Sequence, residues 1–166
     1  TSLIISLSDN NIWPALILTG IACLLLGMEV PTTAAYVICV SVAGPALVDM
    51  GLELLQVHLF VFWFALLSTI TPPVCGTVFI ASGMVSENWL KVSLTSMSLG
   101  IGLYFIPLAM IANEAIIQLE TDFISSIMAF VKIALSLVML SYAFIGKHLI
   151  IAKMISFGLG LFVMFI

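Results

Sequence analysis

The chain has 166 residues, of which 63% are hydrophobic and only 7% charged, and its mean hydropathy is +1.35. A water-soluble domain carries about 25% charged residues, so this chain lacks the polar groups to cover a globular surface in water, and its solvent is lipid. Its 4 basic residues, all Lys, stand against 8 acids for a net charge of -4. That balance offers no footprint for a polyanion and excludes nucleic acid as a partner.

In chain order, residues 1–12 read as a lead-in on the outer face, followed by an interrupted apolar stretch over 13–48. One run closes at Gly27, the segment Met28-Glu29-Val30-Pro31-Thr32-Thr33 intervenes, and a second run follows. Each arm is about 16 residues, near 24 Å as helix, while a full crossing needs about 20 apolar residues. Two short spans joined by an exposed loop would also fit. The reading preferred is a re-entrant hairpin, whose tip at membrane depth carries no Lys or Arg.

The next stretch, 57–84, is interrupted by Thr71-Pro72-Pro73-Val74-Cys75-Gly76. Residues 57–70 amount to about 21 Å of helix, too little to cross alone. Two adjacent prolines remove two backbone donors, and Pro73 pushes Pro72 out of the helical region, so a transmembrane helix broken near its middle is expected. Three further spans follow over 90–112, 124–146 and 149–166. The first contains Gly100, Gly102 and Pro107, all tolerable in a membrane helix whose neighbours satisfy the freed backbone. The expected fold class is an all-α membrane protein in three parts: the lead-in, a unit over 13–89 with hairpin and broken helix, and three helices over 90–166 forming a scaffold or a C-terminal extension.

Charge fixes the orientation. Lys91, Lys147, His148 and Lys153 mark inner ends, whereas Asp49 and Glu53, and Glu114, Glu120 and Asp122, lie in connections without Lys or Arg and belong outside. Lys132, about two turns into its span, is expected to snorkel or to meet a protein partner.

Irregular backbone at membrane depth survives only where protein buries it or a wet cavity solvates it, so the two breaks are expected to face each other. Gly27 suits a helix C-terminus, with carbonyls carrying partial negative charge, and Pro31 suits the first turn of the following helix, with N–H groups carrying partial positive charge. The proline break repeats this arrangement: the carbonyls of Ser68, Thr69 and Ile70 end one half and residues 76–78 begin the other. Thr69 and Thr71 add hydroxyl oxygens, and an oxygen-only ligand set suits a hard ion such as sodium. Broken helices of this kind hold ions and substrates in secondary transporters.

Other residues read more plainly. Glu29, the one acid placed at membrane depth, has three readings: ion ligand, proton relay, or a group reaching water at the tip. His58 reads as an interfacial residue, Phe60, Phe62, Trp63 and Phe64 as lipid-facing or packing groups, and Cys23, Cys39 and Cys75 as small hydrophobes without metal-ligand spacing. No nucleophile–base pair or HExxH motif points to an enzyme.

The run Leu26-Gly27-Met28-Glu29-Val30-Pro31-Thr32-Thr33-Ala34-Ala35-Tyr36, then Ala46-Leu47-Val48, His58-Leu59-Phe60-Val61-Phe62 and Leu67-Ser68-Thr69-Ile70-Thr71-Pro72-Pro73-Val74 resembles the large membrane subunit of TRAP (tripartite ATP-independent periplasmic) transporters. The likeness is greatest to the fused permeases that work with TAXI-type binding proteins, and it covers residues 13–118 well and the last two spans loosely. Glu29 stands where relatives usually carry a small or apolar residue, and Cys75 where Ala or Gly is commoner.

The resemblance implies an elevator-type, sodium-coupled transporter of organic acid anions with two inverted halves, of which this chain looks like the second, a fragment of a longer permease. It implies a cation site drawing on Gly27, Thr32, Thr33, Ser68, Thr69, Thr71, Pro72, Val74 and Gly76, and a substrate site to which Glu29, Pro31, Thr32 and Pro73 contribute. Na+ would be the coupling ion, without an organic cofactor. The implied partners are a TAXI-type periplasmic receptor, the remaining half of the permease, a small membrane domain and the lipid bilayer, in a bacterial or archaeal cytoplasmic (inner) membrane. The residues leave open a receptor-independent, ion-coupled anion elevator and a non-transporting scaffold whose breaks are packing kinks.

Overall fold

The computed structural model describes residues 6, 8, 11–117, 122–145 and 150–165. It is all-helical among these residues, with helices α1 (Ile12–Glu29), α2 (Thr32–Asp49), α3 (Leu54–Leu67), α4 (Gly76–Val85), α5 (Trp89–Leu99), α6 (Ile101–Ala112), a 3-10 turn (Glu114–Ile116), α7 (Phe123–Ile145) and α8 (Ile150–Phe165). The chain divides into two compact units, Thr1–Leu94 and Thr95–Ile166.

In the first unit α1, α2 and α3 pack against one another. Asn11 starts α1 by accepting the Trp13 N–H at 3.1 Å. Val30 ends it in extended conformation (φ -125°, ψ 159°), the geometry that a following proline imposes on its predecessor. Pro31 then stands at the N-cap of α2. The return to α3 is a left-handed glycine turn: Gly51 has φ +101°, and the Leu52 N–H reaches back to the Leu47 carbonyl at 3.2 Å, closing α2 as glycine caps do.

Small residues let these helices approach. A Cβ added at Gly20 would stand 3.1 Å from the Phe64 ring, and one at Gly27 would stand 2.7 Å from Ser68 Cβ. Ala15, Leu16, Cys23, Ala35, Cys39, Ala46, Leu47, Val57, Phe60, Val61 and Ala65 fill the interior. In lipid such contact, rather than a hydrophobic drive, is what joins helices. Ile17, Ile21, Leu25, Val37 and Val42 stay exposed on the outer faces, as apolar surface facing hydrocarbon or further protein does.

In the second unit α7 and α8 pack along each other, with α6 against both. Their core is Ala109, Ile133, Leu140 and Met164, backed by Phe105, Leu137 and Phe157. Gly160 lets α8 close on α7, its would-be Cβ lying 3.2 Å from the Ser136 carbonyl. At the end of α6, Asn113 donates from Nδ2 to the Ala109 carbonyl at 3.1 Å and to the Met164 carbonyl at 2.9 Å, and its Oδ1 accepts from Lys132 Nζ at 2.8 Å. Lys132 therefore meets a protein partner, one that also ties down the C-terminal ends of α6 and α8. Those helix ends carry partial negative charge, which favours a cation there.

Several expectations need correction. Gly27 does not close the first arm: the helix continues through it to Glu29, and the glycine serves the contact with Ser68. Each hairpin arm has 18 residues, and both arms, like α7, are long and apolar enough to cross a membrane, so arm length no longer argues for a re-entrant tip. The span over 90–112 is not one helix. It is interrupted at Gly100, where α5 and α6 bend by 41°; the Gly100 carbonyl accepts the Leu103 N–H at 2.9 Å, a tighter turn than the α pattern, while Pro107 sits inside α6 without breaking it. Of the span over 149–166, the described part is a helix of 16 residues. Glu120, Lys147 and His148 lie outside the described residues. Within 57–84, α3 and α4 are both shorter than a full span, and the chain between them is irregular.

Candidate functional site at the interrupted helices

The site is built on residues 68–75, between the C-terminus of α3 and the N-terminus of α4. The last turn of α3 tightens as it ends, with the Thr69 N–H on the Leu66 carbonyl and the Ile70 N–H on the Leu67 carbonyl, both at 3.2 Å. Pro72 and Pro73 then remove two donors, and the peptide between them is cis.

Hydroxyls take over where backbone donors stop. Ser68 Oγ donates to the Ala65 carbonyl at 2.7 Å, Thr69 Oγ1 to the Leu66 carbonyl at 2.8 Å and Thr71 Oγ1 to the Leu67 carbonyl at 2.7 Å. Thr77, in the first turn of α4, spans the break by donating from Oγ1 to the Thr69 carbonyl at 3.1 Å. Each hydroxyl has one hydrogen and two lone pairs. Having committed the hydrogen to a carbonyl, such an oxygen meets any further group only as an acceptor.

The hairpin meets this break through Gly27. Ser68 is fully buried and stands so close to Gly27 that a methyl group there would overlap its Oγ and lie 3.3 Å from the Ala65 carbonyl. Of the other residues expected at the tip, Thr32 is half-buried as the first residue of α2, and Glu29, Pro31 and Thr33 are exposed. At the break Thr71 is buried, Thr69 and Pro72 are half-buried, and Pro73, Val74 and Gly76 are exposed. One pair of site residues, Gly27 and Ser68, is thus in direct contact, while the exposed members present a surface around it.

Two contributors escape sequence reasoning. Ser93 of α5 is buried; its Oγ lies 3.4 Å from the Ile70 carbonyl and accepts from Cys75 Sγ at 3.7 Å, so a serine 23 residues downstream helps hold the break. His58 is not a free interfacial group: its Nδ1 is 2.6 Å from the Tyr36 hydroxyl, and Tyr36 turns its ring edge to Phe62 at 5.8 Å. Neither contact has a local sequence signal. Among the described residues no group of three or more His, Cys, Asp or Glu could hold a metal.

Compared with models of protein families, residues 1–124 match that of the Tripartite ATP-independent periplasmic transporter, DctM component. Comparison with curated proteins and with solved structures gives no match.

Proposed function

Because the chain belongs to the DctM component family of tripartite ATP-independent periplasmic transporters, we propose that its two interrupted segments form half of a sodium-coupled site for symport of an organic acid anion. The family makes the chain part of a multi-pass membrane permease for secondary transport, working with a substrate-binding receptor and other membrane components. The finer reading is a TAXI-type permease of a bacterial or archaeal inner membrane. In it this chain is the second half, and a TAXI-type receptor delivers the anion to a cleft completed by the other half beside a small membrane domain.

The observation that supports the sodium site best is the break itself. Ser68, Thr69 and Thr71 have all turned their hydrogens onto backbone carbonyls, so each oxygen meets any further group through its lone pairs, beside helix C-terminal carbonyls, a ligand chemistry that suits a hard monovalent ion. The substrate would meet Glu29, Pro31, Thr32 and Pro73, with its carboxylate toward the N-terminal end of α2, whose dipole favours an anion. Close packing of Gly27 on Ser68 supports hairpin and broken helix moving as one body.

The test is anion uptake by the full-length permease with its receptor, measured against external sodium. Thr71→Val and Thr32→Val each remove a candidate oxygen, and the expected outcome is a raised sodium concentration for half-maximal uptake. Thr71→Ser, which keeps the oxygen and its bond to the Leu67 carbonyl, is expected to behave like the parent. Unchanged sodium dependence in both valine variants would refute this placement.

A further inference from the structure

At the end of α7 and the start of α8, a cavity of about 210 Å³ is lined by Ala143, Phe144, Lys153, Met154 and Phe157. Its walls are apolar, and Lys153 is the one charged residue among those that line it. The aromatic side is braced: the Phe157 ring meets Phe144 at 5.9 Å and Phe105 at 6.5 Å, both near edge-on. Lys153 is half-buried, and among the described residues its amino group has no hydrogen-bond or ion-pair partner.

Among the described residues of this unit the charge has no counter-ion within reach. The described acids of this unit, Glu114 and Asp122, precede α7, whose 23 residues put about 34 Å of helix between them and this end. By the distribution of Lys along the sequence, this end is read as the cytoplasmic one. A lysine normally runs its stem along apolar surface and keeps its head in water. Here the same residue lines an aromatic-walled pocket, and the ligand that suits both the apolar wall and the charge has an anionic group joined to a hydrocarbon chain.

We propose that this cavity binds an anionic phospholipid of the inner leaflet, its phosphate on Lys153 and an acyl chain along Phe157 and Met154. Basic pockets between membrane helices on the cytoplasmic side recognise such headgroups. The proposal does not depend on which ion or acid is transported.

The experiment is native mass spectrometry of the full-length permease titrated with dioleoyl-phosphatidylglycerol or dioleoyl-phosphatidylcholine. Phosphatidylglycerol is expected to bind more tightly. Lys153→Gln is expected to weaken it about fivefold, in keeping with one basic residue at a membrane surface, while Lys153→Arg retains it. Phe157→Ala is expected to weaken both lipids. Lys91→Gln, which removes a cation already held by Glu87 at 3.1 Å, is the control and leaves the preference intact.

Equal binding of the two lipids, or a Lys153→Gln variant with the parent's preference, would overturn the proposal. Loss of preference in Lys91→Gln as large as in Lys153→Gln would assign the effect to bulk charge and overturn it as well. So would glycerol 3-phosphate alone displacing the lipid at comparable concentration, since the cavity would then be a phosphate site and not a lipid site.

Discussion

Replacing Gly27 by alanine probes the contact that joins hairpin and break. The new Cβ would stand 2.7 Å from Ser68 Cβ and 3.3 Å from the Ala65 carbonyl. Carbon atoms rest at 3.5–4.0 Å, so α1 and α3 must part by about 1 Å. Neither obstacle is the loose end of a side chain: Ser68 is fully buried and bonded to the Ala65 carbonyl at 2.7 Å. Overpacking of this kind costs about 1–3 kcal/mol.

Against it stands the intrinsic preference of a helix for Ala over Gly, up to about 1 kcal/mol. That gain is smaller where the unfolded chain stays helical in detergent, so the informative quantity is the difference between glycine sites, from which the common gain cancels. Gly44 supplies the reference, since a Cβ there meets only Val40 at 3.5 Å and Val57 at 3.8 Å, ordinary contacts. Gly20 is intermediate, facing the Phe64 ring at 3.1 Å.

Thermal or detergent unfolding of the full permease should therefore rank Gly44→Ala at or above the parent, Gly20→Ala near it and Gly27→Ala lowest, with about 2 kcal/mol between the extremes. Adding Ser68→Gly removes the obstructing carbon and should restore much of the loss in Gly27→Ala. If Gly27→Ala proves as stable as Gly44→Ala, the close approach of α1 to α3 is wrong.

Two other predictions concern the second unit. Asn113→Ala should destabilise by about 1–3 kcal/mol, because it strips Lys132 of its acceptor and two helix-end carbonyls of a donor; with Lys132→Met added, the two losses should fall short of additivity by at least about 0.5 kcal/mol, and strict additivity would dissolve the node. At the start of α7, the Asp122 carboxylate accepts from Ser125 Oγ at 2.6 Å and from the Ser125 N–H at 3.2 Å, and these bonds hold its pKa below the usual aspartate value. A depressed carboxylate stabilises the fold above its unfolded pKa and loses that contribution as pH falls through the folded one. The stability gap between the parent and Ser125→Ala should thus be full at neutral pH and close on acidification below the carboxylate range, and a gap indifferent to pH would contradict this account.

Prolines were the legible part of the sequence. Pro31 and the pair Pro72 and Pro73 end or interrupt helices for reasons carried by their own rings, so both breaks could be placed without knowing any neighbour. Glycine was harder, because one residue type serves opposite ends: Gly27 looks like a stop and is a point of close approach, whereas Gly100 looks tolerable and is where α5 and α6 part. Nothing local separates them, since the difference lies in Ser68, a residue of another helix. The helices are also apolar on nearly every side, so no stripe marks the neighbour-facing face. For that reason the Tyr36–His58 bond, the support from Ser93 and the Asn113 partner of Lys132 became visible only in three dimensions. Among the candidate site residues, the order of tip and break was readable, but the pairing of Gly27 with Ser68 was not.

The hydroxyls at the break have already spent their hydrogens. With Ser68, Thr69 and Thr71 turned back onto α3, that rim is electron-rich, whereas the opposite rim opens on the N–H groups of Gly76 and Thr77, which no earlier turn of α4 can satisfy. Helix ends of these two kinds favour a cation beside the α3 carbonyls and an anion beside the first N–H groups of α4. This difference in sign comes from the peptide groups themselves, with no carboxylate, amine or imidazole among residues 68–76.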